Sequence, residues 1–127
     1  MRRWNGWGSE RVDFPVPAAA KIYLAELAGQ AEPGPSANLE DLIRRIRSSR
    51  LKSHPLIYDD PGLRLRHARG QSLPDWIALR FGSLAHFPDA VATPATEPEV
   101  GELVILAKNT GACLIPYGGG TSVVGHI

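Results

Sequence analysis

The sequence predicts an α+β chain, with a helical amino-terminal region followed by a strand–helix–strand unit that opens into a glycine loop. Apolar residues recur at helical spacing in several segments, each with its own start and stop residues. Two short apolar runs flank the last of these segments, and the second runs into Gly118-Gly119-Gly120. At 127 residues, 43% hydrophobic and 21% charged, the chain can build a core and is too balanced for a disordered tail. Fourteen Lys+Arg against 13 Asp+Glu leave no basic excess, so nucleic-acid and membrane-surface binding are not expected. No apolar run approaches the roughly 18 residues of a membrane-spanning helix. The start, Met1-Arg2-Arg3-Trp4-Asn5-Gly6, is basic but lacks the apolar stretch of a signal peptide. A single cysteine, Cys113, forms no internal disulfide and no metal cluster by itself. A soluble intracellular protein is the expectation.

Taken in order, the first sixteen residues read as an irregular arm whose Trp4 and Trp7 pack onto the main body. A helix is expected from Pro17 to about Ala28, with Ile22, Leu24 and Leu27 on its apolar side and Gly29 ending it. Residues 33–36 read as a short linker. Asn38 caps a second helix in which Leu39, Leu42, Ile43 and Ile46 share a face, while Arg44, Arg45, Arg47 and Arg50 form a solvated side. An anionic partner for those arginines is the alternative. From His54 to Gly70 the pattern reads as turns and charge, and His67 lies among Arg64, Arg66 and Arg69. Those positive neighbours disfavour a protonated imidazole, so an active-site role for His67 is the lesser reading. Ser72 caps a third helix, with Pro74 and Asp75 in its first turn and Gly82 closing it.

The last forty residues change character. Residues 89–94 form a short strand candidate, Thr96 and Glu99 make a capping box, and Val100, Leu103, Val104 and Ala107 stripe the helix that ends at Gly111. Residues 112–116 form a second, more apolar strand that buries Cys113. The loop Tyr117 to Ser122 then sits at the carboxyl end of that strand, where ligands of α/β units bind.

Three consecutive glycines let backbone N–H groups converge on an anion without a charged side chain, and Thr121 and Ser122 add hydroxyls. A phosphate or pyrophosphate is the natural guest; a turn without ligand is the alternative. Gly120 and Gly125 have the spacing of a Walker loop, but His126 and Ile127 follow, so its lysine is missing. Gly118 and Gly120 fit half a Rossmann loop, yet Val123 holds the third glycine position. Neither ATP hydrolysis nor nicotinamide binding is supported. No Ser/His/Asp or Cys/His constellation stands out, and neither a catalytic residue nor a metal ligand is assigned.

Asp89-Ala90-Val91, then Thr96 and Glu99-Val100, then Pro116-Tyr117-Gly118-Gly119-Gly120-Thr121-Ser122 resemble the first half of the FAD-binding domain of the vanillyl-alcohol-oxidase superfamily. Upstream, Arg3-Trp4-Asn5-Gly6-Trp7-Gly8 is similar to the opening of the alkyldihydroxyacetonephosphate (alkylglycerone-phosphate) synthases, and Arg69-Gly70, Leu79-Arg80 with Gly82, and Phe87-Pro88-Asp89 continue the likeness. The resemblance implies residues 1–87 as an arm and helical region and 88–127 as the incomplete start of a PCMH-type FAD-binding domain, its first β-α-β unit. It implies that Pro116, Tyr117, Gly118, Gly119, Gly120, Thr121 and Ser122 contact the FAD pyrophosphate. No histidine stands in the glycine core, so the flavin is expected to be non-covalent. The second flavin subdomain, the substrate cap and the family's catalytic residues are not in the sequence, which reads as an amino-terminal fragment, inactive alone. For the intact enzyme the resemblance implies exchange of acyl for alkyl on acyl-dihydroxyacetone phosphate in ether-lipid synthesis. An FAD-linked oxidoreductase of 2-hydroxy acids is the competing reading, and a helical interaction module of residues 1–87 a third. Only Met1-Arg2 precedes the arm where eukaryotic relatives carry a peroxisomal address, so a cytoplasmic place is expected; a homodimer is left open.

Overall fold

A computed structural model describes residues 3–30, 34–122 and 124. Met1, Arg2, Pro33 of the expected linker, and Val123, Gly125, His126 and Ile127, on which the loop comparisons turn, lie outside the described residues. The described residues form helices α1 (Ala18–Ala28), α2 (Leu39–Arg45), α3 (Pro61–Arg66), α4 (Leu73–Phe81) and α5 (Glu97–Thr110), with strands β1 (Ile57–Tyr58) and β2 (Val91–Ala92). The mixture is α+β, as the patterning predicts.

Local chemistry sets most of the helix ends. Asn38 accepts from the amides of Glu40 and Asp41 at 2.8 and 3.3 Å, and the first-turn carboxylates and last-turn arginines of α2 oppose its dipole. Ser72 and Asp75 form a reciprocal capping box on α4, as do Thr96 and Glu99 on α5. Gly82 and Gly111 close those two helices in the left-handed conformation, at φ +68° and +70°. Helix α1 forms where expected but buries none of its residues.

Two segments differ from the expectation. The stretch read as turns contains α3, because Asp60 is an N-cap that accepts from Leu63 N at 2.7 Å and Pro61 is the first helical residue. Asp-Pro-Gly carries turn chemistry and helix-start chemistry alike, and only the chain that follows decides between them. Helix α2 also stops at Arg45, with Ile46 already extended, so Arg47 and Arg50 lie beyond it rather than on one helical face.

The β-α-β unit is not formed among the described residues. Strand β2 pairs antiparallel with β1, in the register Ile57 to Ala92 and Tyr58 to Val91, rather than with a strand after α5. Residues 112–116 carry no ladder, and Cys113, Leu114 and Ile115 are exposed rather than buried. A strand exists by pairing, and an apolar run without a hydrogen-bonded neighbour stays extended coil.

The core is Leu42, Leu65, Leu79 and Leu84, one each from α2, α3, α4 and the segment after α4, with Trp4, Ile43, Trp76 and Phe87 packed against it. Trp4 thus anchors the arm, as the packing reading expects, while Trp7 meets Trp76 edge to face at 5.9 Å but stays 68% exposed. Arg64 is buried at 4% exposure and ties three segments together. Its Nε donates to Pro88 O at 2.6 Å and its terminal nitrogen to Arg47 O at 2.9 Å. The arginines after Asn38 (Arg44, Arg45, Arg47 and Arg50) are all exposed, as expected, and two of them also tie distant segments. Arg45 donates to Gly82 O and Leu84 O, and Arg50 forks onto Asp89 at 2.6 to 3.1 Å.

Candidate functional site

The glycine loop lies against the segment between α3 and α4, which holds it from behind. Tyr117 is half-buried; its hydroxyl donates toward Arg66 O at 3.4 Å and Arg69 O at 3.3 Å, and its ring leans on His67 at 4.7 Å. Gly120 is buried at φ +66°, and a Cβ there would run into the Tyr117 ring. Ser122 is buried, at φ +36°, against Gly70, where a Cβ would collide with the serine side chain. Gln71 closes the attachment: its backbone N–H donates to Thr121 O at 3.2 Å and its side-chain amide to Gly119 O at 3.0 Å.

The outer half of the loop is open. Pro116, Gly118, Gly119 and Thr121 are exposed. A Cβ at Gly118 would meet nothing within 4 Å, and one at Gly119 only Thr121 Cγ2 at 3.9 Å. Neither residue has a positive φ. The fold therefore demands glycine at 120 but makes no such demand at 118 and 119, where the missing side chains leave bare backbone facing outward.

Beside the loop is a cavity of about 160 Å³ whose walls include Arg3, Arg66, His67, Arg69, Trp76 and Tyr117. Its arginines are held by carboxylates: Arg3 by Asp13 at 3.7 Å, Arg66 by Glu10 at 3.7 Å, and Arg69 by buried Asp75 at 3.6 Å. His67 Nδ1 lies 2.8 Å from Leu63 O, which requires the proton on that nitrogen because a carbonyl only accepts. His67 thus caps α3 and supports Tyr117, and the lesser, catalytic reading of it gains nothing. Trp76 Nε1 is buried and has no hydrogen-bond partner among the described residues.

No family model matches the chain. Individual proteins do. Alkyldihydroxyacetonephosphate synthase of Dictyostelium discoideum is 33% identical over 93 residues, 73% of this chain. The Caenorhabditis elegans synthase is 24% identical over 95% of this chain, and the Trypanosoma brucei brucei synthase 28% over 76%. The chain is a relative of the alkyldihydroxyacetonephosphate synthases. A solved structure of an alkyldihydroxyacetonephosphate synthase superposes with a TM-score of 0.73 at 24% identity, over 98% of this chain and 29% of that one, so the fold is shared. The chain spans 15% of the Dictyostelium synthase and 25% of the Caenorhabditis one.

For a relative of these synthases, the structure brings all seven expected contacts, Pro116 to Ser122, into one loop. It separates them into an exposed group (Pro116, Gly118, Gly119, Thr121) and an anchoring group (Tyr117, Gly120, Ser122). The residues that hold the loop, Gly70 and Gln71, carry no local signal of that role, although Arg69-Gly70 belongs to the family likeness. Among the described residues no group of three His, Cys, Asp or Glu is placed to hold a metal, and no helix is long and apolar enough to cross a membrane.

Proposed function

We propose that this chain forms part of an FAD-dependent enzyme that exchanges the acyl group of acyl-dihydroxyacetone phosphate for an alkyl chain, and that residues 116–122 grip the FAD pyrophosphate. One observation supports the loop assignment above the others: Gly118 and Gly119 are glycines that neither φ nor packing within the described residues requires. Bare backbone on an exposed loop is what close approach of a phosphate needs, and a left-handed residue next to ordinary ones turns successive N–H groups toward one side. These residues fit the diphosphate of a flavin nucleotide. The names of the relatives support the reaction.

FAD, when bound, supplies the carrier chemistry of the exchange. The chain's own part is to position it. Gly118, Gly119 and Gly120 would offer main-chain donors, Thr121 its exposed hydroxyl, and Tyr117 would fix the entry to the loop through its bonds to Arg66 O and Arg69 O. No positive side chain is needed, since neutral amides stabilise the diphosphate without closing a salt bridge that must later break.

The test is flavin retention and product formation in the intact protein. Gly119→Val should purify colourless with an unchanged unfolding midpoint, because the fold leaves room for the side chain there. A yellow variant with wild-type FAD affinity would refute the loop assignment. With labelled fatty alcohol and acyl-dihydroxyacetone phosphate, the wild type should release labelled ether lipid. Dye reduction by D-lactate with no ether product would replace the transferase reading with that of an oxidoreductase.

A further inference from the structure

We infer that Gln71 is a positioning residue for the flavin loop, one that aims the loop's amides by holding its carbonyls; this rests on the pyrophosphate assignment above. Gln71 reaches the loop twice. Its side-chain amide donates to Gly119 O at 3.0 Å and its backbone N–H to Thr121 O at 3.2 Å. In a trans peptide the C=O and the following N–H point in opposite directions, and there is no cis peptide among the described residues. Drawing the Gly119 carbonyl toward Gln71 therefore turns the Gly120 N–H to the opposite side. The second bond does the same for the peptide after Thr121.

The alternate peptides of the loop are thus oriented by one residue outside it. The Gly120 amide so turned takes no hydrogen bond among the described residues. Two further contacts keep Gln71 in register: Gly70 approaches Ser122 too closely for any side chain, and the Tyr117 hydroxyl bonds to the carbonyls of Arg66 and Arg69. Without the side-chain bond, the peptide between Gly119 and Gly120 loses a tether, and glycine on both sides lets it sample other orientations. A phosphate arriving at the loop would then bear the cost of ordering it.

The experiment compares wild type, Gln71→Met and Gln71→Glu in the intact protein at neutral pH. Both variants keep the length of the side chain and the backbone bond but lose the donor to Gly119 O. FAD affinity by fluorescence titration should weaken about three- to tenfold, the factor that one net hydrogen bond supplies. Hydrogen exchange of the apoprotein should quicken at residues 117–122 and nowhere else, with the unfolding midpoint unchanged. Wild-type FAD affinity in both variants, or unchanged exchange in the loop, overturns the role of Gln71 while leaving the pyrophosphate assignment standing. A wild-type protein that binds no FAD overturns both.

Discussion

The carboxylate of Asp89 shows how a single side chain couples this fold to pH. Arg50 donates to it from Nε, from a terminal nitrogen and from its backbone amide, at 2.6 to 3.1 Å. The side-chain hydrogen bonds hold Asp89 below the ordinary carboxylate range, and the same bonds raise Arg50. A depressed acid stabilises the folded state above its ordinary pKa of about 3.9, and that contribution fades as pH falls through the lower, folded value. Arg50→Met should therefore lower the unfolding midpoint by a constant amount at pH 6 to 7, with the deficit shrinking below about pH 4. Denaturation of both proteins across pH 3 to 7 measures it, and a pH-independent deficit would deny the coupling. Residue chemistry of this kind is only half legible in a sequence. The capping roles of Asn38, Ser72 and Thr96 follow from neighbours within a few positions. The pairing of Arg50 with Asp89 spans 39 positions and has no local signature.

At the scale of elements, the two capping boxes offer a matched comparison. On α4, Ser72 is buried, accepts from Asp75 N at 3.3 Å, and donates from its hydroxyl to Asp75 Oδ2 at 2.6 Å. On α5 the bond from Glu99 N to Thr96 is longer, 3.4 Å, and exposed. Ser72→Ala leaves a buried carboxylate short of a donor as well as removing a cap, so it should cost about 2 kcal/mol or more. Thr96→Ala should cost about 1 kcal/mol or less. Urea denaturation of the two single variants gives the difference directly, and equal losses would contradict the role of burial. The elements that were misread share one cause. Helix α3 hides behind Asp60-Pro61-Gly62, residues that serve a turn and a helix start equally. The apolar run at 112–116 has strand composition, yet composition supplies no partner strand.

Across the whole molecule, Arg64 does what no single element can. From α3 it reaches the carbonyl before Asp89 and the carbonyl of Arg47, so the helices, the extended segment after α2 and the approach to β2 share one buried guanidinium. Arg64→Met should cost about 2–4 kcal/mol by leaving those carbonyls unpaired, and Arg64→Lys should recover little, because lysine carries all its donors on one terminal nitrogen and none at the Nε position that reaches Pro88 O. Chemical denaturation checks both, and full rescue by lysine would show that charge alone matters. The same long reach fixes the candidate site: Gln71 and Tyr117 join segments nearly fifty positions apart. The order of residues along the chain sufficed for four helices, their caps and the glycine loop, because those depend on spacing and on neighbours within one turn. Tertiary structure alone decided that β2 pairs with β1, that Arg45, Arg50 and Arg64 tie distant segments, and which residue holds the loop's carbonyls. Those outcomes depend on which distant carbonyl, carboxylate or edge comes within about 3 Å, and hydrogen bonds at that range carry no trace in local periodicity.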